Sequence, residues 1–328
     1  MAKKKAASIA RKKKTAVPAV EPVKAAEPVK KNNSGLMMLL AAVVIFVAAE
    51  IYFITMQSIR ESKRPVFVNS WAHQYKGLTS IGEYGNYIYG IDNTRGDVYK
   101  TEKNTGTLEK VLSFPEGVSS ALSDSKGDIF ILTKGNEAFK IDGKTYKTVK
   151  KFKITDIKDV CWMEIDSKDN LFFSSSTSGL VSKYDPDFNK LLQFGGHTDS
   201  KGDMSCAAKI FAGPNDEMYV MDAYKAGAYS VKIFDDNGKF IRSWEVTRIK
   251  KFDSLTNGCV AANGDMYINS YEESKIYVFG PAGKFLGSFD SDKDKRFQII
   301  YAASVSGGKN GLIYVVSHQM AVFKTINY

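Results

Sequence analysis

Cysteine, histidine and proline are all scarce in this 328-residue chain, with 3, 3 and 8 copies, and each shortage excludes something. Cys161, Cys206 and Cys259 are odd in number and include no CxxC pair, which argues against a disulfide framework. They are expected to be free thiols packed as small hydrophobes, with one bridge between neighbouring repeats as the alternative. No glycine-rich phosphate loop follows a strand and opens a helix, so nothing supports nucleotide binding by that route. Only one long hydrophobic run exists. Acidic side chains fall short of basic ones, 36 against 46, for a formal net charge of +10. That excess is local: residues 1–35 carry ten basic and two acidic side chains, while 65–328 carry 33 and 32. The bulk of the chain is nearly neutral, and no nucleic-acid partner is expected of it. With 44% hydrophobic and 12% aromatic residues, it has the composition of a chain with a large core.

The first 35 residues read as a disordered basic tail, because VPAVEPVKAAEPVKK offers almost no large apolar side chain to bury. Leu36 to Met56 follows, twenty-one residues broken only by Glu50. At about 1.5 Å per residue such a helix spans the hydrocarbon core of a bilayer. Ten basic residues precede it, and only Arg60, Lys63 and Arg64 follow closely. The positive-inside rule then predicts a cytoplasmic N-terminus, a signal anchor over 36–56 embedded in membrane lipid, a linker over 57–64 and an extracytoplasmic domain over 65–328. A cut after Ala49, in a signal peptide, is the alternative reading.

The domain is repetitive. Turn residues, an apolar residue and an aromatic recur at Tyr89, Phe130, Phe172, Tyr219, Tyr267 and Tyr314, at intervals of 41, 42, 47, 48 and 47. Downstream lie a second strand, a tight turn and a third strand ending in an aromatic. The clearest copies are Val231–Phe234, Asp235-Asp236-Asn237-Gly238 and Lys239–Trp244, then Ile276–Phe279, Gly280-Pro281-Ala282-Gly283 and Lys284–Phe289. Apolar spacing of two around such turns reads as antiparallel hairpins, not as helical repeats. With a further strand before the first, each unit becomes a four-stranded antiparallel sheet. The predicted fold class is therefore all-β, a six-bladed β-propeller. The sixth unit lacks an outer strand, and Pro65-Val66-Phe67-Val68-Asn69-Ser70-Trp71 has no blade of its own. It is expected to complete the last blade and close the ring.

The run Asn257-Gly258-Cys259-Val260-Ala261-Ala262-Asn263-Gly264-Asp265-Met266-Tyr267-Ile268, followed by Lys275–Phe279, resembles the NHL-repeat and related six-bladed propellers, as does the junction Phe194-Gly195-Gly196. The aspartate usual after the core strand in that family stands here as Asp92 and Asp222 but is Ser174, Asn269 and Ser317 in other units. The resemblance implies a propeller domain. It brings in related enzymes too: gluconolactonase and paraoxonase-like hydrolases with calcium in the channel, and a peptidylglycine-processing lyase with histidine-bound zinc.

Such chemistry needs clustered ligands. His73 and His318 belong to one blade junction and His197 to the opposite one, a poor arrangement for a single zinc ion. Glu83, Glu164 and Asn257 are the nearest candidates for channel calcium ligands. Lys144, Lys147, Lys150, Lys151 and Lys153 crowd one outer hairpin, where lysines discourage edge pairing. The longer loops on the His-bearing face bring together Tyr224, Tyr271, Glu272, Asp222, Asp92 and His318 as candidate recognition residues for a protein partner. The expected function is binding or scaffolding without a cofactor; the alternative is a metal-dependent lactonase, esterase-like hydrolase or lyase with calcium or zinc in the channel.

Overall fold

A computed structural model describes residues 34–62, 65–71, 78–197, 201–225, 228–246, 249, 256–291, 297–300, 304–307, 311–317 and 320–324. The basic tail, His73 and His318 lie outside them. The chain divides near Thr55 into two compact units.

The first unit holds most of α1, Ser34–Ser62, which runs on past Met56 into the segment read as a linker. Its stretch Met37–Thr55 is long and apolar enough to cross a membrane, and none of it is buried in the protein. The Thr55 hydroxyl donates to the Ile51 carbonyl at 2.7 Å, so this polar group has a partner within the helix itself.

The second unit is the propeller. Its six four-stranded antiparallel sheets run from an inner to an outer strand. Blade 1 is β2 (Leu78–Tyr84), β3 (Tyr87–Asp92), β4 (Asp97–Glu102) and β5 (Leu108–Ser113); blade 2 is β6 (Val118–Ser123), β7 (Ile129–Thr133), β8 (Glu137–Ile141) and β9 (Thr148–Lys153). Blade 3 is β10 (Val160–Ile165), β11 (Leu171–Ser175), β12 (Leu180–Tyr184) and β13 (Lys190–Gly195); blade 4 is β14 (Ala207–Ala212), β15 (Met218–Lys225), β16 (Ala228–Phe234) and β17 (Phe240–Glu245). Blade 5 is β18 (Gly258–Val260), β19 (Met266–Ser270), β20 (Lys275–Phe279) and β21 (Phe285–Phe289). Blade 6 is β22 (Ser304–Gly307), β23 (Leu312–Val316) and β24 (Met320–Lys324), completed by β1 (Val66–Trp71). The β1–β24 pairing runs from Val66 opposite Lys324 to Trp71 opposite Met320. The strand at the start of the domain thus closes the ring, as its orphan status in the sequence implied.

The recurring aromatics all fall on the second strand of a blade and are buried. β7, β11 and β19 are buried along their whole length, whereas the outer strand β17 alternates between half-buried and exposed. The core is accordingly divided into six apolar clusters, one between each pair of neighbouring blades. The closing aromatics of the repeat serve these interfaces. Phe194 packs on Phe234 of the next blade at 4.8 Å between ring centroids, and Trp244 stacks on Phe279 at 5.0 Å.

Phe194 and Trp244 also sit against turn glycines of the next blade, Gly238 and Gly283. A Cβ at Gly283, where φ is +77°, would meet Trp244 Cγ at 2.2 Å. Glycine is required there twice over, by the left-handed backbone and by the indole above it. The turn aspartates are structural as well. Asp166 Oδ1 accepts from the backbone N–H groups of Lys168 and Asn170, and Asp235 Oδ1 from those of Asn237 and Lys239. These are Asx turns, in which the side chain substitutes for a backbone acceptor. Other aspartates link blades: Asp169 takes the Ser125 N–H at 2.8 Å, and Asp216 takes the Ser167 N–H at 3.2 Å. On the lysine-rich hairpin of blade 2, Lys151 pairs with Glu137 at 3.0 Å.

Candidate functional site

The inner strands of all six blades converge on a central cavity of about 270 Å³. Its walls come mostly from the C-terminal ends of those strands: Gly82 and Glu83, Leu122 and Ser123, Glu164 and Ile165, Phe211 and Ala212, Cys259 and Val260, Ser306 and Gly307. Pleating turns alternate residues of each inner strand toward the axis. The interior is mixed in polarity, with two carboxyl groups and one thiol.

Those two carboxyls are in different states. Glu83 is paired with Lys103. Its charge also raises the Tyr314 phenol, after the larger effect of burial. Among the described residues Glu164 accepts one hydrogen bond, from the Ile165 backbone N–H at 3.0 Å. Burial pushes its carboxyl up to about 8, opposed weakly by that one hydrogen bond. The Cys259 thiol is pushed up by burial and then by the nearby Glu164 charge, so it is a protonated, unreactive thiol at neutral pH. Trp162 also lines the cavity, and its indole N–H is buried without an acceptor among the described residues.

Calcium takes six to eight oxygens. Glu83 pairs with Lys103, and Asn257 is tied to neighbouring residues. The Asn257 amide donates to Ser304 Oγ at 3.1 Å, its backbone N–H donates to Asn269 Oδ1 at 2.6 Å, and its Oδ1 accepts from the Gly258 N–H at 2.8 Å. Among the described residues no group of three or more His, Cys, Asp or Glu side chains is placed to hold a metal ion. All three cysteines are free, Cys259 buried and the other two half-buried.

A second cavity, of about 300 Å³, opens near the N-terminal starts of the inner strands, lined by Cys161, Ser176, Lys209, Met221, Tyr229 and Thr256 among others. Trp162 stands between the two cavities, lining the first while the Lys209 ammonium of the second lies 3.6 Å from its ring centroid. Neither Lys209 nor Trp162 was singled out from the sequence. The one available signal was a lysine inside the apolar run Ala207-Ala208-Lys209-Ile210-Phe211-Ala212.

The loop-face candidates have divergent surroundings. Asp222 is fully buried: its Oδ1 accepts from the Ser205 and Cys206 N–H groups at 3.0 and 2.9 Å, and its Oδ2 lies 2.8 Å from the Lys232 ammonium. Asp92 folds its own turn, with Oδ1 accepting from the Thr94 and Arg95 N–H groups at 2.9 and 3.1 Å. Both carboxylates anchor loops. Glu272 is exposed, Tyr271 is half-buried, and the Tyr271 carbonyl accepts from the Ser274 N–H in a tight turn. His197 is exposed just past β13. The side chains of Tyr224 and His318 lie outside the described residues.

No protein-family model matches the chain, and no curated protein sequence does. Solved structures do. A virginiamycin B lyase from Staphylococcus aureus superposes with a TM-score of 0.54 at 9% identity, covering 79% of this chain and 99% of the lyase. A gluconolactonase from Xanthomonas campestris gives 0.56 at 11% identity, over 80% of this chain and 88% of that one. A hydrazine synthase chain from Kuenenia stuttgartiensis gives 0.55 at 9% identity, over 78% and 97%. At such identities the likeness is one of fold, which different chemistries share.

Proposed function

We propose that this chain is a membrane-anchored, NHL-type propeller that holds a binding or scaffolding module on the extracytoplasmic side of a membrane. The observation that carries this reading is the dispersal of charged groups in the channel. Glu83 is paired with Lys103, Glu164 accepts the Ile165 N–H on another blade, and the described residues bring together no group of three or more His, Cys, Asp or Glu side chains of the kind a calcium or zinc hydrolase needs. Anchoring and orientation are supported by the apolar stretch Met37–Thr55 and the ten basic residues ahead of it. The recognition surface is assigned to the loop carrying Tyr271 and Glu272, together with Tyr224.

One observation favours a second reading, a channel enzyme. Glu164, with its carboxyl pushed up to about 8, has the protonation of a general acid near neutral pH. The fold is shared with a lyase and a gluconolactonase.

Elemental analysis of the full-length chain purified in detergent separates the two. The binding reading expects no stoichiometric metal, and expects crosslinking to a defined partner that weakens in the Tyr224→Ala or Tyr271→Ala variant. Near-stoichiometric calcium or zinc, with lactone or ester turnover lost in Glu164→Gln, would replace it with the enzyme.

A further inference from the structure

Lysines withdrawn from solvent in this propeller are generally met by carboxylates. Lys183 lies 3.4 Å from Asp166 and also contacts Asp236; Lys232 lies 2.8 Å from Asp222, Lys140 3.6 Å from Asp128 and Lys100 2.9 Å from Glu109. Lys103 has Glu83. Lys209 differs. It is half-buried on the inner strand of blade 4, and among the described residues no carboxylate lies within ion-pair distance of it. One side of its ammonium rests over the Trp162 ring. The amine also lines the second cavity, between the starts of β10, β14 and β18.

An ammonium held in a recess without a counter-ion is destabilising, and the ring beneath compensates for only part of the lost hydration. Burial accordingly pushes its ionisation down to about 8, with the neighbouring Cys161 opposing the shift. Ser176, Tyr229 and Thr256 line part of the recess, the Ser176 hydroxyl donating to the Asp159 carbonyl at 3.3 Å, and Met221 and Ala208 give it an apolar side. Its volume is about ten times the roughly 30 Å³ share of one water molecule. One cation beside an apolar wall suits a singly charged head on a carbon skeleton. A phosphate dianion calls for more positive charge than the lining provides.

We propose that the recess above Trp162 is a binding site for a small organic carboxylate, with Lys209 as its counter-ion. This proposal does not rest on the loop surface assigned above.

The test is equilibrium dialysis of the full-length chain in detergent micelles against radiolabelled acetate, succinate and benzoate, with inorganic phosphate as competitor. The variants are Lys209→Met and, as an exposed control, Lys284→Met. The expected result is saturable binding of at least one carboxylate at one per chain, weakened tenfold or more in Lys209→Met and unchanged in Lys284→Met. Unliganded Lys209→Met should melt at or above the wild-type temperature, because the change removes an uncompensated charge. Lys209→Gln makes the same comparison if the Met variant fails to fold. The proposal is overturned by no saturable binding of any of the three, by undiminished binding in the Lys209 variants, or by displacement with equimolar phosphate. A lower melting temperature with unchanged binding would show a lysine that serves packing alone, and would overturn it too.

Discussion

Replacing Glu164 by glutamine keeps the shape of the channel wall and removes its one strongly perturbed acid. In the unfolded chain this carboxyl ionises near its ordinary 4.5; in the folded protein burial holds it up to about 8. Between those values the native state keeps a proton that the unfolded state has released, so stability falls as pH rises. The loss begins near pH 4.5, grows until about pH 8 and is constant above. A gap of three to four pH units corresponds to about 4 to 5 kcal/mol at full development. Channel water reaching this half-buried side chain reduces that to about 3 kcal/mol. For a domain of this size, that is about 6 to 12 °C in melting temperature. Thermal unfolding of the full-length protein and of Glu164→Gln, followed by circular dichroism from pH 4.5 to 9, reads it directly. The two curves should coincide at the acid end and separate toward pH 8, with the variant more stable. Parallel curves across the range, or a less stable variant at pH 9, would refute the assignment of Glu164 as a desolvated acid.

Gly283→Ala places a methyl group 2.2 Å from Trp244 Cγ on a backbone with φ of +77°, so it should cost about 2 to 4 kcal/mol and lower the melting temperature in proportion. Lys183→Met leaves the fully buried Asp166 carboxylate without its cation, a loss of about 3 to 5 kcal/mol in chemical denaturation; an unchanged midpoint would contradict the pairing. Deleting residues 65–71 exposes the edge of β24 and uncovers Phe323, against which Phe67 packs at 5.8 Å between ring centroids. The truncated chain should elute as oligomers in size exclusion, and a monomer of unchanged stability would show that β1 does not close the ring.

Much of the fold was legible because each blade solves the same packing problem with the same residue types. The aromatics at Tyr89, Phe130, Phe172, Tyr219, Tyr267 and Tyr314 recur since every second strand is buried between neighbours on both faces. Phe194 and Trp244 recur since blades 3 and 4 each cover the outer-hairpin glycine of the next blade, Gly238 and Gly283. Such repetition survives in a linear sequence. The chemical states of single side chains do not. Asp92 and Asp222 read as loop acids available for recognition, yet one folds a turn and the other lies at 0% exposure beside Lys232. A sequence does not distinguish a carboxylate that accepts backbone N–H groups from one that faces water.

The residues that sequence reading passed over are those whose neighbours come from a different blade. Trp162 and Lys209 are 47 positions apart, and neither shows its partner within its own strand: one is an aromatic among apolar residues, the other a lone lysine in an apolar run. Only the wrapping of blade 3 against blade 4 sets the ammonium over the indole and leaves the recess beside it. Glu164 becomes unusual by the same route, because six inner strands from sequence-distant units withdraw water from one carboxyl. The two groups respond to burial with opposite signs. Both shifts favour the neutral form, the acid holding its proton up to about 8 and the amine losing its proton above about 8. Near neutral pH the interior therefore presents a protonated carboxyl on one side of Trp162 and, on the other, an ammonium whose charge an anion would stabilise. A ligand that restores full charge to Lys209 should for that reason bind less tightly as pH rises past 8, a trend that the Glu164→Gln substitution should leave in place.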